Sequence, residues 1–166
     1  MDYPLSKKDI EKIFKGKIKV MLYNEISDYK TIDDLLNPYG RVCILYYWKK
    51  YHGHWICVFR NKNNRVEIFD SFGTWIDDTL KNINPIFRNE TNQLSKHLTA
   101  LLYQKGDGVE YNDEKLQKDK SMTCGRWCVY RMIRDDLSIE EFQKLFNRVK
   151  DKDNKIISLT SNINGK

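Results

Sequence analysis

Three apolar segments in the middle of the chain constrain its fold more than any other feature. They span residues 42–48, 55–59 and 65–69 and are rich in β-branched and aromatic side chains. Such side chains suit the pleated surface of a sheet, and the turn-rich stretch 61–64 joins the last two segments. We therefore predict that the three segments are adjacent strands of one sheet.

Helical patterns occur on both sides of these strands. Ser6-x-x-Asp9 and Ser138-x-x-Glu141 are capping boxes, each followed by apolar residues at helical spacing. The other predicted elements are strands over 17–23 and 109–111 and helices over 28–36, 90–104 and 124–134. Residues 151–166 are polar, and we predict a frayed tail there.

The length of the chain, 166 residues of which 40% are hydrophobic, predicts one domain, which we assign to residues 1–150. No apolar stretch reaches the length of a membrane span, and the charged start is unlike a signal peptide. We expect a soluble, intracellular protein whose four cysteines are reduced. The net charge of +6 suggests affinity for polyanions, so non-specific binding of DNA stays open.

A cysteine at the start of a predicted helix is the strongest indication of function. Cys124 opens the segment 124–134 and follows Gln117 by seven residues. The unpaired backbone N–H groups and partial positive charge of a helix N-terminus favour a thiolate over a thiol. Upstream, His54 and Asp70 lie at the ends of neighbouring predicted strands. The chain order of these four residues favours a cysteine peptidase.

Amide hydrolysis by a thiol needs a base, a group that orients the base, and donors for the oxyanion. We predict that His54 deprotonates Cys124 and later protonates the leaving amine, while Asp70 holds the imidazole tautomer. Gln117, expected in an exposed loop, would donate its side-chain N–H₂ to the oxyanion together with the backbone N–H of Cys124.

Two neighbours of these residues are predicted to shape substrate binding. Trp55 follows His54 and is placed to shield the imidazole from water. Gly125 follows the nucleophile, where the absence of a side chain would let substrate backbone pass close. Together they predict a narrow cleft that excludes bulky side chains next to the scissile bond.

Each of these residues also has an ordinary structural explanation when it is taken alone. A cysteine on an apolar helix face is usually core, and an isolated histidine or glutamine is usually at the surface. A metal site is the chemical alternative, because His52, His54 and Cys57 are close in sequence and Cys124 and Cys128 are one helical turn apart. No Cys-x-x-Cys pair is present, and we predict no metal.

Several segments resemble the adenain-type viral cysteine peptidases, whose relatives occur in adenoviruses, virophages, polinton-like elements and large DNA viruses. They carry a His-Trp pair in 53–59, an acidic residue before x-Phe-Gly in 66–73, and Gln-x6-Cys-Gly over 117–125. The resemblance extends over about residues 40–135. It assigns His54 as base, Asp70 as orienting acid, Gln117 as oxyanion donor and Cys124 as nucleophile.

The resemblance implies an α+β fold, papain-like or adenain-like, in which a mixed, largely antiparallel sheet packs on a central helix that carries the nucleophilic cysteine. It implies cleavage of viral capsid precursors at glycine-rich, Gly-Gly-like sites during maturation, in the virion and the virus factory of the host cytoplasm. The sequence requires no cofactor. DNA or a viral peptide are candidate activators, although residues 100–122 contain no cysteine to tether a peptide.

Ubiquitin-like-protein proteases are distantly similar. They usually carry Asp directly before the nucleophile, whereas Thr123 holds that place here, which favours the viral branch. A deubiquitinase or SUMO-type deconjugating protease is the runner-up, because the same chemistry accepts a C-terminal Gly-Gly tail. A non-enzymatic nucleic-acid-binding domain of the same fold is the second alternative.

Overall fold

The computed structural model describes residues 3–49, 52–106 and 108–163. In these ranges the helices are α1 (Lys7–Ile13), α2 (Ile32–Leu36), α3 (Pro85–Glu90), α4 (His97–Lys105), α5 (Cys124–Ile133), α6 (Ile139–Lys144) and α7 (Lys152–Thr160). The strands are β1 (Lys19–Leu22), β2 (Arg41–Lys49), β3 (His52–Arg60), β4 (Val66–Phe69) and β5 (Glu110–Tyr111). Short 3₁₀ helices occupy Tyr23–Asp28 and Asp78–Asn82.

All five strands form one mixed sheet in the order β1-β2-β3-β4-β5. The inner pairs β2–β3 and β3–β4 are antiparallel, whereas the edge pairs β1–β2 and β4–β5 are parallel. The predicted mixed sheet is confirmed, and the three predicted central strands are its inner strands. Because β4 and β5 run opposite to β3, the start of β3 and the ends of β4 and β5 lie at the same end of the sheet.

A glycine allows close pairing at the start of β3. Gly53 is the register partner of Tyr47, beside an irregularity in the β2–β3 pairing. A Cβ at Gly53 would lie 1.9 Å from the carbonyl oxygen of Tyr46, which is backbone and cannot move aside. A side chain at this position would push β3 away from β2 one residue before His54.

Helices cover both faces of the sheet, because alternate residues of each strand point to opposite faces. On one face α5 packs against β3, and the core there includes Cys57, Trp127 and Phe142. On the other face α2 and α4 cover a core that includes Leu35 and Leu98. Among the described residues, no helix is long and apolar enough to cross a membrane.

The region beyond residue 150 differs from the prediction of a frayed tail over 151–166. Residues Lys152–Thr160 form α7, which packs on α5, and 164–166 lie outside the described residues. Asp151 caps the helix by accepting from the backbone N–H of Asn154 at 3.0 Å, and Ile156 is fully buried. The buried residues of α7 are Asp153, Ile156 and Thr160, and two of these three are polar, so composition gives little signal of a packed helix. The folded domain therefore continues through α7 instead of ending at residue 150.

The predicted helix over 90–104 is interrupted between α3 and α4. Gln93 is buried there, and its carboxamide accepts from the backbone N–H of Tyr47 at 3.2 Å and donates to the carbonyl of Tyr47 at 2.8 Å. These bonds satisfy backbone groups at the end of β2 and draw the chain out of the helix. Leu94, whose spacing predicts an inward position, is 49% exposed as a result.

Candidate active site

Cys124 is the first residue of α5 and is 7% exposed. Its sulfur accepts a hydrogen bond from the backbone N–H of Trp55 on β3, with an N···S distance of 3.4 Å. Thr123 does not cap the helix with its side chain, so the first backbone N–H groups of α5 have no side-chain acceptor from that residue. These donors and the helix dipole favour a negative charge at the position of the sulfur.

The imidazole of His54 is buried between β3 and the segment that follows β4. Its Nε2 lies 2.7 Å from Oδ1 of Asp70, and the ring of Phe72 stacks on it with a centroid separation of 4.2 Å. His54 is 1% exposed, so the ring has a single orientation shielded from water. Donation from Nε2 to Asp70 leaves Nδ1 as the nitrogen that can exchange a proton with Cys124.

The carboxylate of Asp70 is held by donors on the loop that it begins. Oδ1 also accepts from the backbone N–H of Phe72 at 2.9 Å, and Oδ2 accepts from the hydroxyl of Thr74 at 3.0 Å. The carboxamide of Asn112 bonds to both the N–H and the carbonyl of Asp70, at 2.9 and 2.6 Å. None of these bonds involves His54, so they hold the carboxylate of Asp70 in place independently of the histidine.

The electrostatic surroundings favour a charged imidazole. Burial by itself lowers the pKa of His54, but the charge of Asp70, the hydrogen bond to Asp70 and the interaction with Cys124 outweigh burial and raise the pKa to about 10. The ordinary pKa of histidine is about 6.5. At neutral pH the imidazole is therefore protonated, which is the state needed for a thiolate–imidazolium pair with Cys124.

Gln117 is buried, with 2% exposure, and not in an exposed loop as predicted. Its Oε1 accepts from the hydroxyl of Ser71 at 2.6 Å, and its Nε2 donates to the carbonyl of Ser121 at 2.9 Å. Ser71 follows Asp70, and Ser121 lies three residues before Cys124. The glutamine side chain therefore bridges the loop of the acid and the loop of the nucleophile, which explains its burial.

Trp55 and Gly125 contact each other and the N-terminal segment. The indole N–H of Trp55 donates to the carbonyl of Leu5 at 3.1 Å. A Cβ at Gly125 would lie 3.2 Å from both the ring of Trp55 and the side chain of Leu5. Both residues therefore pack tightly beside Cys124, and the predicted roles in substrate binding stay predictions.

Comparison with known proteins finds a relative in a virophage. The chain is 40% identical over 142 residues to "Uncharacterized protein V9" of Sputnik virophage, an alignment that covers 84% of this chain and 81% of that protein. It belongs to the family of protein V9. No protein-family profile matches the V9-family chain.

A solved structure shows the same fold as this V9-family protein at low sequence identity. The ASFV pS273R protease aligns with a TM-score of 0.51 and 13% identity, over 95% of this chain and 67% of the protease chain. The central domain of the uncharacterized Lpg1148 protein from Legionella pneumophila aligns with a TM-score of 0.47 and 16% identity, over 95% of this chain and 94% of that one. The likeness to the ASFV pS273R protease shows the fold alone.

Three residues of the site were not identified from the sequence. Phe72 stacks on the imidazole, Thr74 donates to the carboxylate of Asp70, and Asn112 holds the backbone of Asp70. The pattern Asp-x-Phe-Gly-Thr offers a weak signal for the first two, because short polar side chains often bond to an aspartate in a turn. Asn112 gives no local signal, since its partner is 42 residues away in the sequence.

The other histidines and cysteines of this V9-family protein lie outside this arrangement. His52 is exposed at the start of β3, and His97 begins α4 beside Tyr23 on the opposite face of the sheet. Burial raises the pKa of both Cys57 and Cys128, which keeps them as thiols. Within the described ranges, no three His, Cys, Asp or Glu side chains are grouped in a way that could hold a metal ion.

Proposed function

We propose that this V9-family protein is a thiol endopeptidase. The observation that carries the proposal is the arrangement of Cys124, His54 and Asp70. The sulfur of Cys124 lies at a helix N-terminus and accepts from the backbone N–H of the residue that follows His54, and the buried imidazole of His54 has its Nε2 2.7 Å from the carboxylate of Asp70. A structural role alone does not require a protonated, fully buried histidine between a thiol and a carboxylate.

The acylation half of the reaction follows from this geometry. The thiolate of Cys124 attacks the carbonyl carbon of the scissile amide, and a C–S bond forms while the carbonyl π bond shifts its electrons to oxygen. The imidazolium of His54 gives its proton to the amide nitrogen, the oxyanion re-forms the carbonyl as the C–N bond breaks, and the amine leaves. A thioester on Cys124 remains, with neutral His54 held by Asp70.

Deacylation uses the same groups in reverse. His54 takes a proton from water, the resulting hydroxide attacks the thioester carbon, and the C–S bond breaks as the acid product leaves. The thiolate of Cys124 and the imidazolium of His54 are then restored. Asp70 keeps its charge throughout and stabilises the imidazolium in both halves.

The proposed oxyanion donors are the backbone N–H of Cys124 and the carboxamide of Gln117. Support comes from the hydrogen-bonding of Gln117: Nε2 carries two hydrogens, and the carbonyl of Ser121 accepts one of them. The second hydrogen can be directed at a substrate oxygen. A buried carboxamide fixed at Oε1 by Ser71 is also preorganised, as a stabilising donor for an oxyanion needs to be.

For the substrate, we propose capsid precursor proteins of a virophage-like virus, cut at glycine-rich sites during maturation in the virion or the virus factory. The virophage relative and the resemblance of residues 53–59, 66–73 and 117–125 to adenain-type peptidases support this choice. DNA or a viral peptide would act as an activator and not as a chemical cofactor.

The test combines a covalent probe with a substrate comparison. A Gly-Gly-type electrophilic peptide should add once to the protein, and intact mass with peptide mapping should place the adduct on Cys124.

Candidate capsid precursors and ubiquitin-like fusions are then incubated with the protein, and new N-termini are sequenced. Processing of the fusions and of no precursor would transfer the assignment to the deconjugating class. An unreactive Cys124 would favour a non-enzymatic, nucleic-acid-binding domain.

A further inference from the structure

A buried carboxylate from α7 reaches the loop in front of the nucleophile. Asp153 lies in the first turn of α7 and is 8% exposed. Oδ2 accepts from the backbone N–H of Lys118 at 3.1 Å, and Oδ1 accepts from the hydroxyls of Ser121 at 3.0 Å and Thr123 at 2.5 Å. One side chain therefore holds three points of the segment 118–123.

This segment connects the two proposed oxyanion donors. It begins next to Gln117 and ends at Thr123, directly before Cys124. The carbonyl of Ser121 accepts from the carboxamide of Gln117, so displacement of Ser121 would also displace that donor. The hydroxyl of Thr123 donates to Asp153 instead of capping α5. The position of the Cys124 N–H thus depends on the same carboxylate.

The charge on Asp153 has a local source of stabilisation. It is the second residue of a nine-residue helix, where the helix dipole favours a negative group. The three donors form hydrogen bonds to a charged acceptor, which are stronger than neutral ones. A carboxylate held by its own helix is a rigid anchor for a loop that has no regular secondary structure between 112 and 123.

Building on the proposed peptidase activity, we propose that Asp153 is a positioning residue, which fixes the loop 118–123 so that the carboxamide of Gln117 and the backbone N–H of Cys124 point to one oxyanion. It does not touch the reacting atoms. A second link between α5 and α7 does not involve this loop: the guanidinium of Arg126 donates to the hydroxyl of Thr160 at 3.0 Å. Positioning and anchoring can therefore be separated by mutation.

The main variant is Asp153→Asn, which keeps the shape of the side chain but replaces one acceptor oxygen by a donor. The N–H of Lys118 or the hydroxyl pair then loses its acceptor. We expect kcat to fall by roughly 10-fold or more with KM within about twofold, because an oxyanion donor acts in the transition state. The affinity for a peptide aldehyde, which forms a tetrahedral oxyanion adduct, should fall in parallel. Alkylation of Cys124 by iodoacetamide should stay within about threefold of the unmodified protein, since that reaction forms no oxyanion.

Thr160→Val is the matched control, because it removes a buried hydroxyl from α7 without touching the loop. Its melting temperature should fall while kcat at 25 °C stays near that of the unmodified protein. Thr123→Val and Ser121→Ala each remove one bond to Asp153 and should reproduce the kcat loss on a smaller scale. They keep the proposal testable if Asp153→Asn folds poorly.

Two results would overturn the proposal. One is an Asp153→Asn protein that is folded and keeps full kcat. The other is a loss of peptide turnover and of alkylation by the same factor, which would indicate general disorder of the site. If the unmodified protein neither cleaves peptides nor binds the aldehyde, the proposed function has failed instead. Hydrogen exchange of the Lys118 amide in Asp153→Ala, which removes both acceptor oxygens, then decides whether Asp153 holds the loop: faster exchange supports this role, and unchanged exchange refutes it.

Discussion

The sulfur of Cys124 has surroundings that the other three thiols do not share. It lies at a helix N-terminus and interacts with a protonated histidine, whereas Cys57 and Cys128 sit in an apolar core where burial raises the pKa of each. Cys124→Ala should fold normally and show no peptidase activity, and Cys128→Ala should stay active with some loss of stability. Peptide turnover and melting temperature of the two variants check this. An active Cys124→Ala protein would show that the nucleophile is misassigned.

The pKa of His54 predicts how stability depends on pH. The folded-state pKa is about 10, and the unfolded chain has the ordinary value of about 6.5. The stabilising contribution of protonated His54 is therefore complete below about pH 6.5, shrinks as the pH rises, and is lost as the pH passes about 10. The difference in the free energy of unfolding between this protein and His54→Gln should narrow across that window in urea titrations. A constant difference from pH 6.5 to 10 would contradict the assigned pKa.

Asp70→Asn tests the orienting acid. The variant keeps an oxygen for the backbone N–H of Phe72 but loses the charge that raises the pKa of His54. We expect kcat to fall on the order of 10²-fold or more with a small change in KM, and the alkaline limb of the pH–rate profile to move to lower pH. His52→Ala is the control and should match the unmodified protein. A loss of activity in His52→Ala equal to that in His54→Ala would reopen the metal interpretation.

At the level of single residues, the sequence is sufficient to predict the position of a side chain when residue type and strand order determine that position. His54 and Asp70 do lie in contact, because the ends of β3 and β4 meet at the same end of the sheet. The burial of Gln117 could not be predicted, since it depends on Ser71 and Ser121, which are polar residues with no periodic pattern. The role of Asp153 is not predictable for the same reason, since its partners are polar groups about 30 residues away in the sequence.

At the level of elements, a substitution in the loop between β5 and α5 should change both the stability of the protein and its catalytic rate. Gln117→Ala leaves the hydroxyl of Ser71 and the carbonyl of Ser121 without their partner, which should cost about 1–3 kcal/mol of stability. It should also lower kcat/KM by roughly 10²-fold through the lost oxyanion donor. Ser71→Ala is the comparison, with a similar stability loss and a smaller rate loss, because the carboxamide of Gln117 is then held less firmly but keeps its donor. Equal rate losses in the two variants would assign Gln117 a structural role.

Predicting elements from sequence worked where a hydrophobic period or a capping box marks the ends. The three inner strands and the helix at Ser138 belong to this class. Prediction failed where packing between residues far apart in the sequence decides the structure. Gln93 breaks a helical pattern by bonding to Tyr47, and Ile156 is the one fully buried apolar residue of α7. Neither feature is visible in the pattern of the few residues around it.

For the whole molecule, the net charge of +6 predicts binding to DNA without sequence preference if nucleic acid is an activator. Lys15, Lys17 and Lys49 are exposed, whereas Arg65 is paired with Glu110 at 3.1 Å; Lys50 lies outside the described residues. Three neutralised phosphates correspond to roughly a 40-fold loss of affinity between 50 and 200 mM salt. Fluorescence anisotropy with a labelled duplex measures this. No binding at low salt, with proteolysis unchanged by DNA, would remove nucleic acid as a partner.

Both ends of the described chain pack on the helix that carries the thiol. The carbonyl of Tyr3 accepts from the guanidinium of Arg126, Leu5 covers Gly125, and Asp153 of α7 holds the loop before Cys124. At about 5–20 residues per second, a ribosome needs roughly one to six seconds to add the segment from Cys124 to the start of α7. During that time the nascent chain already contains its reactive sulfur but not the helix that arranges the loop beside it. A chain that is still being synthesised therefore carries the proposed nucleophile before the proposed oxyanion donors can be held in place.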